Sequence, residues 1–186
     1  MAIRLKRRIR IDIDGAASIA GRLFGPRLPV PYFRQGADNW CWAATTVMVS
    51  RYFGNQRIEQ CDLANWLLGY NICCATTTPD PCDRPCQMSD VQRLFRALDY
   101  NCESPIEGHV SISALQFEIA RGRPIEIAFQ WSSTRRGHVA LVCGVGENGM
   151  IDVLDPWYGQ VQVRYENLVA AYGRGVWLAT WRGISR

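Results

Sequence analysis

The chain has 186 residues, 48% apolar and 20% charged, with a formal net charge of +4, which suits one domain, or two small lobes sharing a cleft, with a core of its own. No apolar run approaches the roughly 18 residues of a membrane-spanning helix, so no membrane span is expected. Residues 1–27 hold seven basic and two acidic side chains while the rest of the chain sits at −1, and a near-neutral body offers no basic face to nucleic acid.

The first segment is the basic run Arg4-Leu5-Lys6-Arg7-Arg8-Ile9-Arg10. Residues 1–28 are expected to form a flexible, solvated head, with one domain over residues 29–186. The run imitates the start of a cleaved leader, but Asp12, Asp14 and Arg22 interrupt the only apolar stretch behind it. Export by the usual cleaved leader is therefore not expected. The Pro/Gly-rich residues 25–31 read as extended chain.

Apolar residues at 43, 44, 47, 48 and 52 predict a helix over residues 41–53, closed by Gly54. A second short helix is expected over 62–69, then a Cys-, Thr- and Pro-rich loop over 71–88. Ser89 is the expected cap of a helix over 90–98, and a further helix falls at 112–120. From Pro124 the grammar changes to strands, at 125–129, 139–145, 150–154, 161–165 and 176–180. The second and third make a hairpin around Gly146-Glu147-Asn148-Gly149, and a short helix separates the last two. A helical first half and an antiparallel second half give an α+β fold, whose junction is a natural cleft.

Cys41 stands where a loop turns into a helix. Free N–H groups and the helix dipole favour a thiolate at that position. A buried structural cysteine is the competing reading. Two histidines exist in the chain. His109, in Glu107-Gly108-His109, reads as a solvated loop residue, which leaves His138 as the candidate base. If the hairpin turn is centred between Glu147 and Asn148, residue 140 faces residue 155, and His138 lies diagonal to Asp155 on one face. A turn shifted by one residue would undo that parity. Asp152 falls on the opposite face and is expected to be solvated.

The segment Gln35-Gly36-Ala37-Asp38-Asn39-Trp40-Cys41-Trp42-Ala43 resembles the nucleophile segment of papain-like cysteine proteases. The strand from His138, with glycines at 144 and 146, resembles their histidine strand. Asp155-Pro156-Trp157-Tyr158-Gly159 resembles their Asn-Ser-Trp-Gly segment. The resemblance covers residues 29–181 in outline, nearest to bacterial bacteriocin-leader-type and pathogen-effector branches. It implies a papain-like two-lobed fold with Cys41 as nucleophile, His138 as base, Asp155 as its orienting partner, and Gln35 as side-chain oxyanion donor. It also implies that Trp157 shields the His–Asp bond from water. Asn39-Trp40 departs from the plant enzymes, which carry Gly-Ser, and is expected to narrow the cleft.

A Cys-His-Asp hydrolase needs neither metal nor organic cofactor. The expected activity is that of a thiol endopeptidase acting on protein or peptide substrates, with an inhibitor or immunity protein as a further partner. Deamidase, transglutaminase or amidase chemistry on the same triad is the alternative, and a binding module without activity is the third. Cys143 reads as a small core residue. Cys61, Cys73, Cys74, Cys82, Cys86 and Cys102 form an even set, and the resemblance to bacterial sequences with a Cys…Cys-Cys…Cys arrangement here favours disulfides, so three bridges are expected; no Cys-x₂-Cys pair supports zinc. Three bridges imply time in an oxidising place, hence a secreted protein or one delivered into another cell or compartment.

Overall fold

The computed structural model describes residues 27–186 apart from 76 and 147, and the expected flexible head, up to residue 26, lies outside the described residues. Helix α1 (Cys41–Tyr52) is buried from Trp42 to Ser50, so it is a core helix and not an amphipathic surface one. The hydroxyls of Thr45 and Thr46 donate to the carbonyl of Trp42 at 3.1 and 2.8 Å, which leaves neither unpaired in the core.

Helix α2 (Gln60–Leu68) starts two residues before the expected 62, because Glu59 and Asp62 cap it reciprocally, and it ends at Gly69 with φ of 72°. Helix α3 (Met88–Ala97) is likewise capped by Gln87 and Asp90. The expected cap Ser89 lies inside its first turn instead. A reciprocal pair satisfies two helix-end donors where a lone serine satisfies one. Helix α4 (Ile112–Ala120) is capped by Ser111, which accepts from the N–H of Ala114.

Six strands form one antiparallel sheet: β1 (Ile106–Glu107), β2 (Ile125–Trp131), β3 (Gly137–Val145), β4 (Met150–Asp155), β5 (Gly159–Arg164) and β6 (Gly175–Trp181), in the order β1-β6-β2-β3-β4-β5. The two-residue β1 was not expected. Tyr165, expected in the fourth long strand, opens the short helix α5 (Tyr165–Val169). β3 is buried from His138 to Val145, as a strand covered on both faces is, and both α1 and α4 pack on it. The α+β architecture is as the sequence implies.

The β3–β4 hairpin contains a departure with consequences for the site. Beside the turn, Val145 pairs with Ile151 and Gly144 with Asp152, whereas further on Val142 pairs with Val153 and Leu141 with Leu154. The turn is thus centred on Asn148, shifted from the expected centre, and that shift would put His138 and Asp155 on opposite faces. A bulge at Cys143 absorbs one residue and restores the parity. At the bulge the chain leaves no room for a side chain on Gly144, where a Cβ would come within 2.6 Å of Asp152 Oδ2. Leu28 is buried there, its N–H donating to the carbonyl of Cys143 at 2.8 Å, so residues 27 and 28 pack on the sheet.

Two disulfides, Cys61–Cys74 and Cys73–Cys82, tie the long loop to α2. Cys86 and Cys102 are free, which corrects the expectation of three bridges. Cys86 precedes α3 and Cys102 follows it, its carbonyl accepting from Gln92 Nε2 on that helix at 3.0 Å, and the two thiols are not bonded to each other.

Candidate active site

The nucleophile segment is anchored to the cysteine-rich loop. On either side of Cys41, Trp40 Nε1 donates to the carbonyl of Cys82 at 2.7 Å and Trp42 Nε1 to that of Arg84 at 3.1 Å. The Asn39 backbone N–H donates to Asp83 Oδ1 at 2.8 Å, and its side-chain amide donates to the same residue. The two residues that depart from the plant pattern therefore hold this loop. The Cys73–Cys82 disulfide ties the loop in turn. A cavity of about 270 Å³ opens beside Cys41, walled by Met88, Val91, Ala128, Val139 and Trp181 and bordered by His138 and Trp157.

His138 faces this cavity from the start of β3 and is 7% exposed. Its Nε2 lies 2.9 Å from Asp155 Oδ1, which leaves Nδ1 as the ring nitrogen not bonded to Asp155, and Cys41 lines the same cavity and acts on the ring electrostatically. The same Oδ1 accepts the backbone N–H groups of Trp157 and Tyr158 at 2.9 and 3.0 Å. Tyr172 donates its hydroxyl to Oδ2 at 3.1 Å. Asp155 is fully buried, yet both oxygens are satisfied, as a buried carboxylate requires. Burial pulls the His138 pKa down, but the charge and hydrogen bond of Asp155, then the contact with Cys41, outweigh it and raise it to about 10.

Three rings, two from β2 and one from the turn between β4 and β5, enclose the imidazole. Trp131 stacks on it with centroids 5.6 Å apart and Phe129 at 6.4 Å, while Tyr158 meets it edge-on at 6.4 Å. Trp157, the expected shield, borders the cavity and is 40% exposed, so Trp131 is an aromatic cover that the sequence did not single out. The alternation Ile127, Phe129, Trp131 along β2 was the available signal. For Tyr172 there was none, since it lies in a turn 17 residues from its partner.

The structure thus brings Cys41, His138 and Asp155 together. Gln35 is buried beside them, its backbone N–H donating to the carbonyl of Pro156 at 3.2 Å. Its side-chain Nε2, however, donates to the carbonyls of Ala37 and Asp38, both at 2.8 Å, so both amide hydrogens are in use. Asp152 corrects another expectation: it is 6% exposed and not solvated, and it accepts from Gln162 Nε2 at 2.9 Å. His109 is exposed, as expected.

The other free thiols are poorly suited to nucleophilic work. Burial pushes Cys86 up strongly, Cys102 to about 12 and Cys143 to about 11. Burial raises the carboxyl of fully buried Glu126 well above the usual carboxylate range. Cys61, Cys74 and Asp62 sit close together, but those two sulfurs are bonded to each other.

A family model described as papain-like cysteine protease AvrRpt2 matches residues 26–173. Among solved structures, a double-glycine-motif protease from an AMS/PCAT transporter, crystallised with leader peptide, aligns with a TM-score of 0.51 at 14% identity, covering 84% of this chain and 93% of its own. That identity shows a shared fold. The Pseudomonas avirulence protein AvrPphB aligns with a TM-score of 0.44 at 13% identity, covering 80% of this chain and 92% of its own. No curated protein matches the chain. Among the described residues, no helix is long and apolar enough to cross a membrane.

Proposed function

The chain belongs to the family of papain-like cysteine proteases that includes AvrRpt2 and is a cysteine peptidase, and from that premise we propose that Cys41, His138 and Asp155 are its catalytic residues. The observation that carries this reading is the unbroken line of contacts from the Cys41 thiol through the imidazole to a buried carboxylate. An imidazole whose pKa is raised to about 10 holds its proton at neutral pH, and an imidazolium beside a cysteine favours the thiolate.

The sulfur of Cys41 attacks the scissile carbonyl carbon, and the carbonyl electron pair moves to oxygen. As the C–N bond breaks, His138 gives its proton to the leaving amine, and a thioester remains on Cys41. Water then yields a proton to His138 and attacks the thioester, and cleavage of the C–S bond releases the acid. Asp155 fixes the ring orientation throughout.

The oxyanion is stabilised by the backbone N–H of Cys41, one of the unpaired donors of a helix start. Gln35 is the second donor. To act, it must release the carbonyl of Ala37 or Asp38, which it holds in this resting arrangement. Two disulfides further support a protein that passes through an oxidising space, as one secreted or delivered elsewhere does.

The test is a proteome lysate treated with wild type, Cys41→Ala or His138→Ala, read by mass spectrometry of new N-termini. Wild type should generate cleavage products, and each variant should generate none while keeping its thermal transition. Ammonia released or isopeptides formed, without chain cleavage, would replace peptidase by deamidase or transglutaminase chemistry. Retained cleavage by Cys41→Ala would remove the nucleophile assignment.

A further inference from the structure

We propose that Tyr172 is a positioning residue whose hydroxyl holds the second oxygen of Asp155 and so fixes the plane in which the carboxylate meets His138. The inference rests on the triad reading above and adds to it a residue that neither the motifs nor their spacing contain.

The geometry of the carboxylate is the first argument. Oδ1 is crowded by His138, Trp157 and Tyr158, whereas Tyr172 is the donor at Oδ2. Rotation about the last bond of an aspartate is soft. The three donors on Oδ1 restrain that rotation from one side, and the Tyr172 hydroxyl on Oδ2 restrains it from the other. Without the hydroxyl, Oδ2 would be a buried acceptor with no partner in the aromatic box, a costly state that turning the carboxylate would relieve.

Backbone conformation is the second argument. Between α5 and β6, Ala171, Tyr172 and Gly173 have φ values of 46°, 59° and 74°, three left-handed residues in a row. Left-handed backbone is unfavourable for residues with a Cβ, and such strain persists where the surroundings over-determine it. The N–H of Ala171 is held by the carbonyl of Leu168 at 2.9 Å and that of Tyr172 by Asn167 at 2.8 Å. This turn directs the Tyr172 side chain inward. Its ring then packs on Phe129, Tyr158 and Trp131 at 5.3, 5.9 and 6.5 Å, the rings that also enclose His138.

The hydroxyl is suited to permanent donation. Burial, then the charge of Asp155, push its pKa well above the usual range, so it keeps its proton wherever the enzyme works. The other titratable or charged groups facing this box are Tyr32, Tyr158 and Arg174, with the Arg174 guanidinium donating to the Tyr158 hydroxyl at 3.2 Å.

The experiment is Tyr172→Phe, which removes the hydroxyl and keeps the ring. In peptide cleavage, kcat should fall roughly 10- to 100-fold, the loss of one hydrogen bond to a charged group, with KM little changed. A readout independent of catalysis comes from ¹⁵N-histidine NMR in a Cys41→Ala background. There the proton on His138 Nε2 should exchange with water faster once Tyr172→Phe is added. Tyr165→Phe, which removes a hydroxyl bonded to the carbonyl of Val110, should leave that exchange unchanged. Unchanged exchange in Tyr172→Phe, or a rise in KM alone, overturns the positioning role and leaves the peptidase reading standing. Faster exchange in a protein whose Cys41→Ala variant still cleaves peptides would uphold the tyrosine and overturn the triad.

Discussion

The cleft brings together a helical wall and a sheet wall that hold their functional groups by different means. Cys41 is placed by short-range devices: a helix start, two flanking tryptophans that bond the 82–84 loop, and a disulfide at Cys82. His138 and Asp155 are placed by strand register, and the parity of that register depends on a single bulge at Cys143. Stapled devices tolerate partial damage, because each contributes separately. Register has no intermediate setting, since a one-residue slip carries a side chain to the other face. Damage to the sheet wall should therefore strike chemistry, and damage to the stapled loop should strike stability first.

The sharpest way to test that contrast is at Asp155. Asp155→Ala should lower kcat on the order of 10³-fold, because the imidazole is then free to turn. Asp155→Asn should keep a working site, since an amide can still orient the ring. Its alkaline limb should move to lower pH: Asp155 raises the imidazole pKa to about 10, and removing the negative charge lets the imidazolium lose its proton earlier. A pH–rate profile checks both, and an Asp155→Asn variant as inactive as Cys41→Ala would mean that the charge itself is indispensable. Damage from Asp152→Asn in place of Asp155→Asn would mean that the register has been misassigned.

On the helical wall, Gln35→Ala should lower kcat by about 10²–10³ with KM little changed, as expected for a donor that acts in the transition state. A rise in KM alone would assign Gln35 to substrate binding. The gentlest effect on chemistry should come from the staples. Cys73→Ser with Cys82→Ser should cost roughly 2–4 kcal/mol of stability, while kcat of the folded fraction changes less than tenfold. Intact-mass analysis of alkylated, unreduced protein should count the four free thiols Cys41, Cys86, Cys102 and Cys143; six would contradict one of the bridges and eight would contradict both.

Local features were legible in the chain. Periodicity located α1, α4 and the long strands, because each buries one face or all of its length and so needs a regular apolar pattern. The motif around Cys41 and the strand after His138 marked out the candidate site for the same reason, since chemistry there depends on residues near one another in sequence. Bounds were less legible. The caps of α2 and α3 are acid and amide pairs three residues apart, and a serine one position inside the helix made an equally plausible start.

The chain by itself thus determined the α+β class, the resemblance to papain-like proteases, and the identities of Cys41, His138 and Asp155 as candidates. Tertiary structure alone decided what joins them. The shifted turn and its compensating bulge could not be read from Gly146-Glu147-Asn148-Gly149, because hairpin centre and bulge position trade off against each other at constant loop composition. Which cysteines pair, which ring covers the imidazole and which hydroxyl closes on Asp155 are distances between residues far apart in the chain. Such distances follow from how the elements pack, and a side chain's own type carries no information about the neighbour that packing will bring to it.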